Sequence, residues 1–207
     1  MKLLFIIRIL VVSLIGLPSC KKSCSNDGYV KYYKGYHEIR ILPDVDSLRV
    51  SDSLYFEIKI PYHFLNIRDS TYVDASNISL PSFYTMPFHE SFINGIRKPN
   101  DINVFTLIQK TGKCKLVIGK GIICNFLVSD IEYKLLFFLI PKKKGIISLE
   151  FGSLLGERDR GCTDFNFIPK ILNPNKRHNL HHQYLIENGE APIWITNPET
   201  YIIKVVE

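Results

Sequence analysis

In Leu54-Tyr55-Phe56-Glu57-Ile58-Lys59-Ile60, Leu54, Phe56, Ile58 and Ile60 fall on one face and Glu57 and Lys59 on the other. A period of two belongs to a half-buried β-strand and does not fit the 3.6-residue repeat of an amphipathic helix. Pro61 closes the run, since proline cannot donate to a central ladder. The same reading covers Glu38 to Leu42, Asn103 to Gln109, Lys113 to Ile118, Ile122 to Val128, Tyr133 to Ile140, Ile146 to Phe151 and Thr200 to Val206. Turn residues recur between the runs, and β-branched and aromatic residues fill them. Eight or so short strands predict a mainly all-β fold, an antiparallel β-sandwich.

The connections carry their own signals. Gly119-Lys120-Gly121 joins two apolar runs as a hairpin, and Pro141 to Gly145 joins the Tyr133 and Ile146 strands, with Lys142-Lys143-Lys144 as a solvated turn. Glu157 to Pro192 reads as a long late connection, in which Glu157-Arg158-Asp159-Arg160 is a solvated loop of compensating charges. It holds one short helix at Asn179 to Asn188, ended by Gly189.

The start of the chain has a different character. Lys2 and Arg8 flank an apolar stretch that ends at Leu17, followed by Pro18-Ser19-Cys20. A short basic start, an apolar segment and small residues before a cysteine form the layout of a lipoprotein signal. A membrane-spanning anchor fits less well, because Arg8 leaves only Ile9 to Leu17 uninterrupted, and a span needs about 20 apolar residues. The organisation expected is a cleaved signal over 1–19, a lipidated flexible tether over 20–28, and a β-sandwich domain over 29–207. Acyl chains on Cys20 would hold the protein to a membrane, with Lys21 and Lys22 beside the headgroups.

Loss of residues 1–19 lowers the net charge from +6 to +4. The positive residues are spread among strands and turns, which excludes the concentrated basic patch of a nucleic-acid binder. No Gly-x-Ser-x-Gly, phosphate loop or dinucleotide fingerprint occurs, so no catalytic residue and no cofactor is expected.

Lipidation of Cys20 leaves Cys24, Cys114, Cys124 and Cys162. Cys114 and Cys124 share the apolar faces of one hairpin. A turn at Gly119 to Gly121 would set Cys114 opposite Phe126 and Cys124 one diagonal step away, so a Cys114–Cys124 bridge and two buried thiols are both open. His178-Asn179-Leu180-His181-His182 spaces three imidazoles at i, i+3 and i+4, a spacing that on a helix can offer them to one metal. Surface histidines beside Lys176 and Arg177 are the plainer account. Trp194, between Ile193 and Ile195, reads as a core or edge-strand residue, with an exposed carbohydrate-stacking platform as its other role.

The whole resembles the small Ig-like sandwich lipoproteins of Bacteroidota envelopes. The likeness is carried by Leu17-Pro18-Ser19-Cys20, by Asp46-Ser47-Leu48-Arg49-Val50-Ser51-Asp52-Ser53-Leu54-Tyr55-Phe56, and by Phe137 to Leu149 as a late hairpin. It implies an outer-membrane lipid anchor and brings no family active site. It also implies O-glycosylation of Asp-Ser/Thr-x motifs, which places Ser70 first, then Ser47 and Ser53. The acidic stretch that marks surface export in that group is replaced here by Lys21-Lys22-Ser23, which leaves the periplasmic and surface faces both open. Two functional readings follow: a lipid-anchored, non-catalytic binding or structural module with a protein or glycan partner, and a metal-binding protein or metal-dependent enzyme centred on His178, His181 and His182.

Overall fold

A computed structural model describes residues 30–93, 96–99, 104–117, 121–158, 162–172, 178–189 and 200–207, without the side chains of 86, 88–93, 96–99 and 178–182. In chain order the strands are β1 (Lys31–Leu42), β2 (Ser47–Arg49), β3 (Leu54–Pro61), β4 (His63–Leu65), β5 (Tyr72–Asp74), β6 (Phe83–Ile93), β7 (Ile96–Pro99) and β8 (Phe105–Thr111). They continue with β9 (Lys113–Val117), β10 (Gly121–Asn125), β11 (Leu127–Val128), β12 (Glu132–Pro141), β13 (Gly145–Phe151), β14 (Leu154–Arg158) and β15 (Thr163–Ile171). Helix α1 (His178–Glu187) and β16 (Thr200–Val206) complete the described elements.

Two seven-stranded sheets form the sandwich. The first runs β11-β12-β3-β1-β15-β14 with β8 also on β12, and the second runs β2-β16-β13-β6-β10-β9 with β7 also on β6. Most neighbours are antiparallel, but β1 with β15 and β16 with β2 are parallel, so both sheets are mixed. Alternation in β3 and β12 sends Phe56, Ile58, Ile60, Leu135, Phe137 and Leu139 into a shared core. Phe56 stacks on Phe137 of its own sheet at 4.9 Å between ring centroids and reaches Phe151 of the other at 6.4 Å.

The outer face of the second sheet is covered as well. Ile202 and Ile146 are buried but stand outside the main core cluster, because they alternate with the core-facing Ile203 and Ile147. Helix α1 packs on β16, burying Leu185 completely, and Lys204 Nζ donates to Glu187 Oε2 at 2.9 Å. Gly189 adopts φ 77° and its N–H returns to the Ile186 carbonyl at 3.0 Å, the left-handed end for which a glycine is needed.

Several expectations are revised. Pro141 to Gly145 does not close a hairpin: β12 belongs to the first sheet and β13 to the second, so Lys142 to Lys144 arch between sheets. The run Ile122 to Val128 is likewise split, with β10 in the second sheet, β11 in the first and Phe126 at the crossing. Phe126 packs there on Phe83 and Tyr133. Unforeseen strands occupy Phe83–Ile93 and Thr163–Ile171. Pro87 pairs with Leu149 on one side and on the other falls between the segments that meet β10 and β7, a gap in which a missing N–H costs little.

On the outer face of the first sheet Lys59 stands directly opposite Lys134. Glu57 lies within 3.2 Å of both ammonium groups and 3.7 Å of Arg40, and Glu132 lies 3.8 Å from each lysine. Partial burial of Glu57 works to raise its pKa, but hydrogen bonds from Lys59 and Lys134 outweigh that and hold it below the ordinary carboxylate value.

His37 is fully buried between the sheets, with its ring 6.1 Å from that of Phe83. Its Nδ1–H donates to the Phe167 carbonyl at 3.0 Å, which leaves Nε2 the unprotonated nitrogen. That atom is buried and has no hydrogen-bond partner among the described residues. Burial lowers the pKa from 6.5 to about 4, only partly offset by the bond to Phe167. The unfolded chain therefore takes up a proton before the folded one, and stability falls as pH drops from 6.5 towards 4. At about 1.4 kcal/mol per pH step the loss reaches about 3 kcal/mol. Urea unfolding at pH 7 and pH 4.5 should show this decline, and His37→Leu should flatten it; an unchanged slope in the variant would assign the acid sensitivity elsewhere.

Candidate functional site

At the β14 edge of the first sheet a cleft of about 440 Å³ opens between Tyr32, Ser79, Pro81, Leu155, Glu157 and Asp164, with Gly156 and Phe165 as its floor. Its geometry follows from strand register. Tyr32 of β1 is level with Asp164 of β15, and Asp164 is directly opposite Glu157 of β14, so the three side chains stand in a row on one face. Tyr32 is 39 % exposed and Leu155 63 %, giving apolar surface on either side of the two acids.

The framework is fixed by hydrogen bonds. Ser79 and Glu157 exchange both backbone bonds, at 2.8 and 3.0 Å, so the segment before β6 adds a single bridge to the β14 edge. Gly156 permits this approach: a Cβ there would meet Ile78 Cδ1 at 3.0 Å and Leu80 Cδ2 at 3.1 Å. Asn166 Nδ2 donates to the Tyr32 hydroxyl at 2.9 Å, and the Arg68 guanidinium lies 5.2 Å from the centre of the Tyr32 ring. Below the cleft, Arg158 donates to the Asp74 carbonyl at 3.1 Å and lies over Phe165.

Glu157 and Asp164 are the unusual pair. Like charges directly opposite on neighbouring strands destabilise a sheet, and neither carboxylate has an ion-pair partner among the described residues. What they offer is a row of hydrogen-bond acceptors beside an aromatic ring, on strands rather than on a loop. Such an arrangement can take hydroxyl, amide or cationic donors from a partner. A second cleft of about 380 Å³ lies where α1 meets β16, lined by Lys144, Tyr184, Asn188, Lys204 and Glu207. Its charges are already matched, with Lys144 at 2.8 Å from Glu207 and Lys204 at 2.9 Å from Glu187.

The site residues read from the sequence are scattered over the molecule. Cys20, Cys24 and Trp194 lie outside the described residues. Ser47 and Ser53 are exposed where β2 and β3 begin, and Ser70 is exposed in the β4–β5 loop. Cys114 and Cys124 are joined by a disulfide and stand directly opposite, because Val117 rather than Ile118 closes the hairpin against Gly121. Gly121, expected within the turn, is instead the first residue of β10, with φ 87°. Helix α1 begins at His178, so His178, His181 and His182 all fall within it; their side chains lie outside the described set. Among the described residues no group of three His, Cys, Asp or Glu side chains could hold a metal.

The cleft itself was hidden in the sequence. Glu157 and Arg158 form the end of strand β14 instead of a solvated loop, and Asp164 lies on a strand that the sequence pattern does not announce. The available signal was the alternation Thr163, Phe165, Phe167 against Asp164, Asn166, set within a stretch rich in turn residues.

No protein-family model matches the chain, and no curated protein matches it. Among solved structures it is similar to a cohesin module from the family 33 glycoside hydrolase of Clostridium perfringens ATCC13124. That likeness has 10 % identity and a TM-score of 0.34, covering 84 % of this chain and 97 % of that one.

Relief of the carboxylate pair is measurable. Glu157→Gln should raise stability by about 0.5 kcal/mol at pH 7, seen as a higher urea midpoint with unchanged slope. A lower midpoint would show that Glu157 makes a favourable contact in the free protein.

Proposed function

We propose that this chain is a lipid-anchored protein of the bacterial outer membrane, held through Cys20, whose sandwich acts as a non-catalytic binding or structural module. The cleft at the β14 edge is its recognition surface for a protein or glycan partner. The observation that carries the recognition reading is the Tyr32–Asp164–Glu157 row. An aromatic face and two carboxylates with no ion-pair partner among the described residues, fixed on adjacent strands, suit a ligand that brings a flat apolar surface and several donors. The anchoring reading is supported by the basic start, the apolar run to Leu17 and the cysteine after Pro18-Ser19.

The loop between β4 and β5 supports a modification there. Asn66 is buried; its Oδ1 accepts from Lys34 N at 3.0 Å and its Nδ2 donates to Asp69 Oδ1 at 2.8 Å. Asp69 also accepts from the backbone N–H and hydroxyl of Thr71, which holds its pKa below the ordinary value. Ser70 is therefore presented at the tip of a fixed loop, exposed, with φ 59°. This geometry suits a bulky surface glycan. Ser53 differs, since the preceding Asp52 caps a turn by accepting from Arg49 N at 2.9 Å.

Palmitate labelling and membrane fractionation test the anchor. Wild type should carry label and sediment with membranes, and Cys20→Ser should lose the label; a labelled Cys20→Ser protein would overturn the reading. Intact-mass measurement tests the modification: Ser70→Ala should remove a glycan-sized increment, and an identical mass difference from sequence in both proteins would exclude Ser70.

A further inference from the structure

The five cysteines of the chain are Cys20, Cys24, Cys114, Cys124 and Cys162. Cys114 and Cys124 are bonded to each other, and Cys162 is disulfide-bonded as well. Within one chain its partner is then Cys20 or Cys24. Position favours either of them. Cys162 immediately precedes β15, and its carbonyl accepts a hydrogen bond from Lys31 N at 3.2 Å, beside the first rung of the parallel ladder, Lys31 with Thr163. The polypeptide that leads into β1 thus arrives next to Cys162. Cys24 precedes Lys31 by seven residues and Cys20 by eleven, and even the shorter stretch can extend to about 23 Å, ample for the Cα separation of about 4.4–6.8 Å that a bridge requires. Between Cys24 and β1 the residues Ser25-Asn26-Asp27-Gly28 are turn formers.

Chemistry separates the two candidates. Lipidation converts the Cys20 thiol into a thioether, which cannot enter a disulfide. We infer that Cys24 is the partner of Cys162, and that this bridge fastens the tether to the start of β15 four residues after the lipid. The inference rests on the lipid-anchor reading proposed above. Closure removes two electrons and two protons from the two thiols, and the oxidant is a disulfide of an envelope thiol–disulfide exchange protein. A thiolate of the pair attacks it to give a mixed disulfide, and the second thiolate displaces the exchange protein as its dithiol. An oxidising envelope sustains the product.

The bridge changes what the tether does. Eleven extended residues from Cys20 to Lys31 would let the domain stand up to about 37 Å from its lipid. With Cys24 fastened, four residues limit the distance from the lipid to the bridge to about 14 Å. The end of the first sheet where β1 and β15 begin is then held at the headgroups.

Peptide mapping of full-length protein extracted from membranes, alkylated without reduction and then digested, tests this. The expected result is a Cys24–Cys162 linked peptide that disappears on reduction, together with a separate acylated Cys20 peptide. An acylated Cys20 with both Cys24 and Cys162 alkylated would overturn the bridge and leave the anchor standing. A Cys20–Cys162 linked peptide would overturn both. In Cys24→Ser, Cys162 should become fully alkylatable while the lipid on Cys20 remains; continued protection of Cys162 would reject Cys24 as its partner.

Discussion

Phe56 is the point at which the two sheets become one body. It stacks flat on Phe137 of its own sheet and meets Phe151 of the opposite one, while Phe151 packs in turn on Phe83. Rings of this size remove more apolar surface from water than any aliphatic side chain. Their offset and tilted contacts also fix the spacing and angle at which the sheets face one another. Everything on the outer faces inherits that rigidity. The carboxylate network around Glu57, the helix on β16 and the cleft beside β14 all stand on strands whose inner faces are locked into this layer.

How much of this could be read from the sequence depended on which physical signal each element emits. β3 and β12 are central, half-covered strands, so strict alternation reveals them. β6 and β15 are interrupted by Pro87 and Pro169, and the pattern alone passes over them as strands. Alternation also reports that a strand has an inside without reporting which sheet supplies it. That is why the Lys142–Lys144 arch looks like a hairpin turn and why the split at Phe126 is invisible: both sheets point their apolar faces at the same core. The cysteine pair was legible as a neighbourhood but not as a register, because a one-residue change in the turn decides whether two side chains are opposite or diagonal. The helix, by contrast, announces its end through Gly189, whose backbone requirement is local.

The candidate cleft was hidden for a related reason. Glu157, Arg158 and Asp164 are charged residues close together in sequence, and such runs ordinarily belong to solvated loops. Only when β14 and β15 pair does the spacing place Glu157 and Asp164 side by side with Tyr32, which lies more than a hundred residues away. Sites assembled across strands from distant segments leave no motif. They become visible through long-range register, here the parallel pairing of β1 with β15.

That pairing has a mechanical consequence. β1 is the first described strand and lies inside its sheet, between β15 and β3, with nine rungs on one side and five on the other. A pull on the chain ahead of Lys31, directed along β1, runs crosswise to its ladder hydrogen bonds. The strand cannot peel off one bond at a time, and many rungs must yield together in shear. The chain therefore enters this domain by a strand that is laddered on both sides and suited to bear a load.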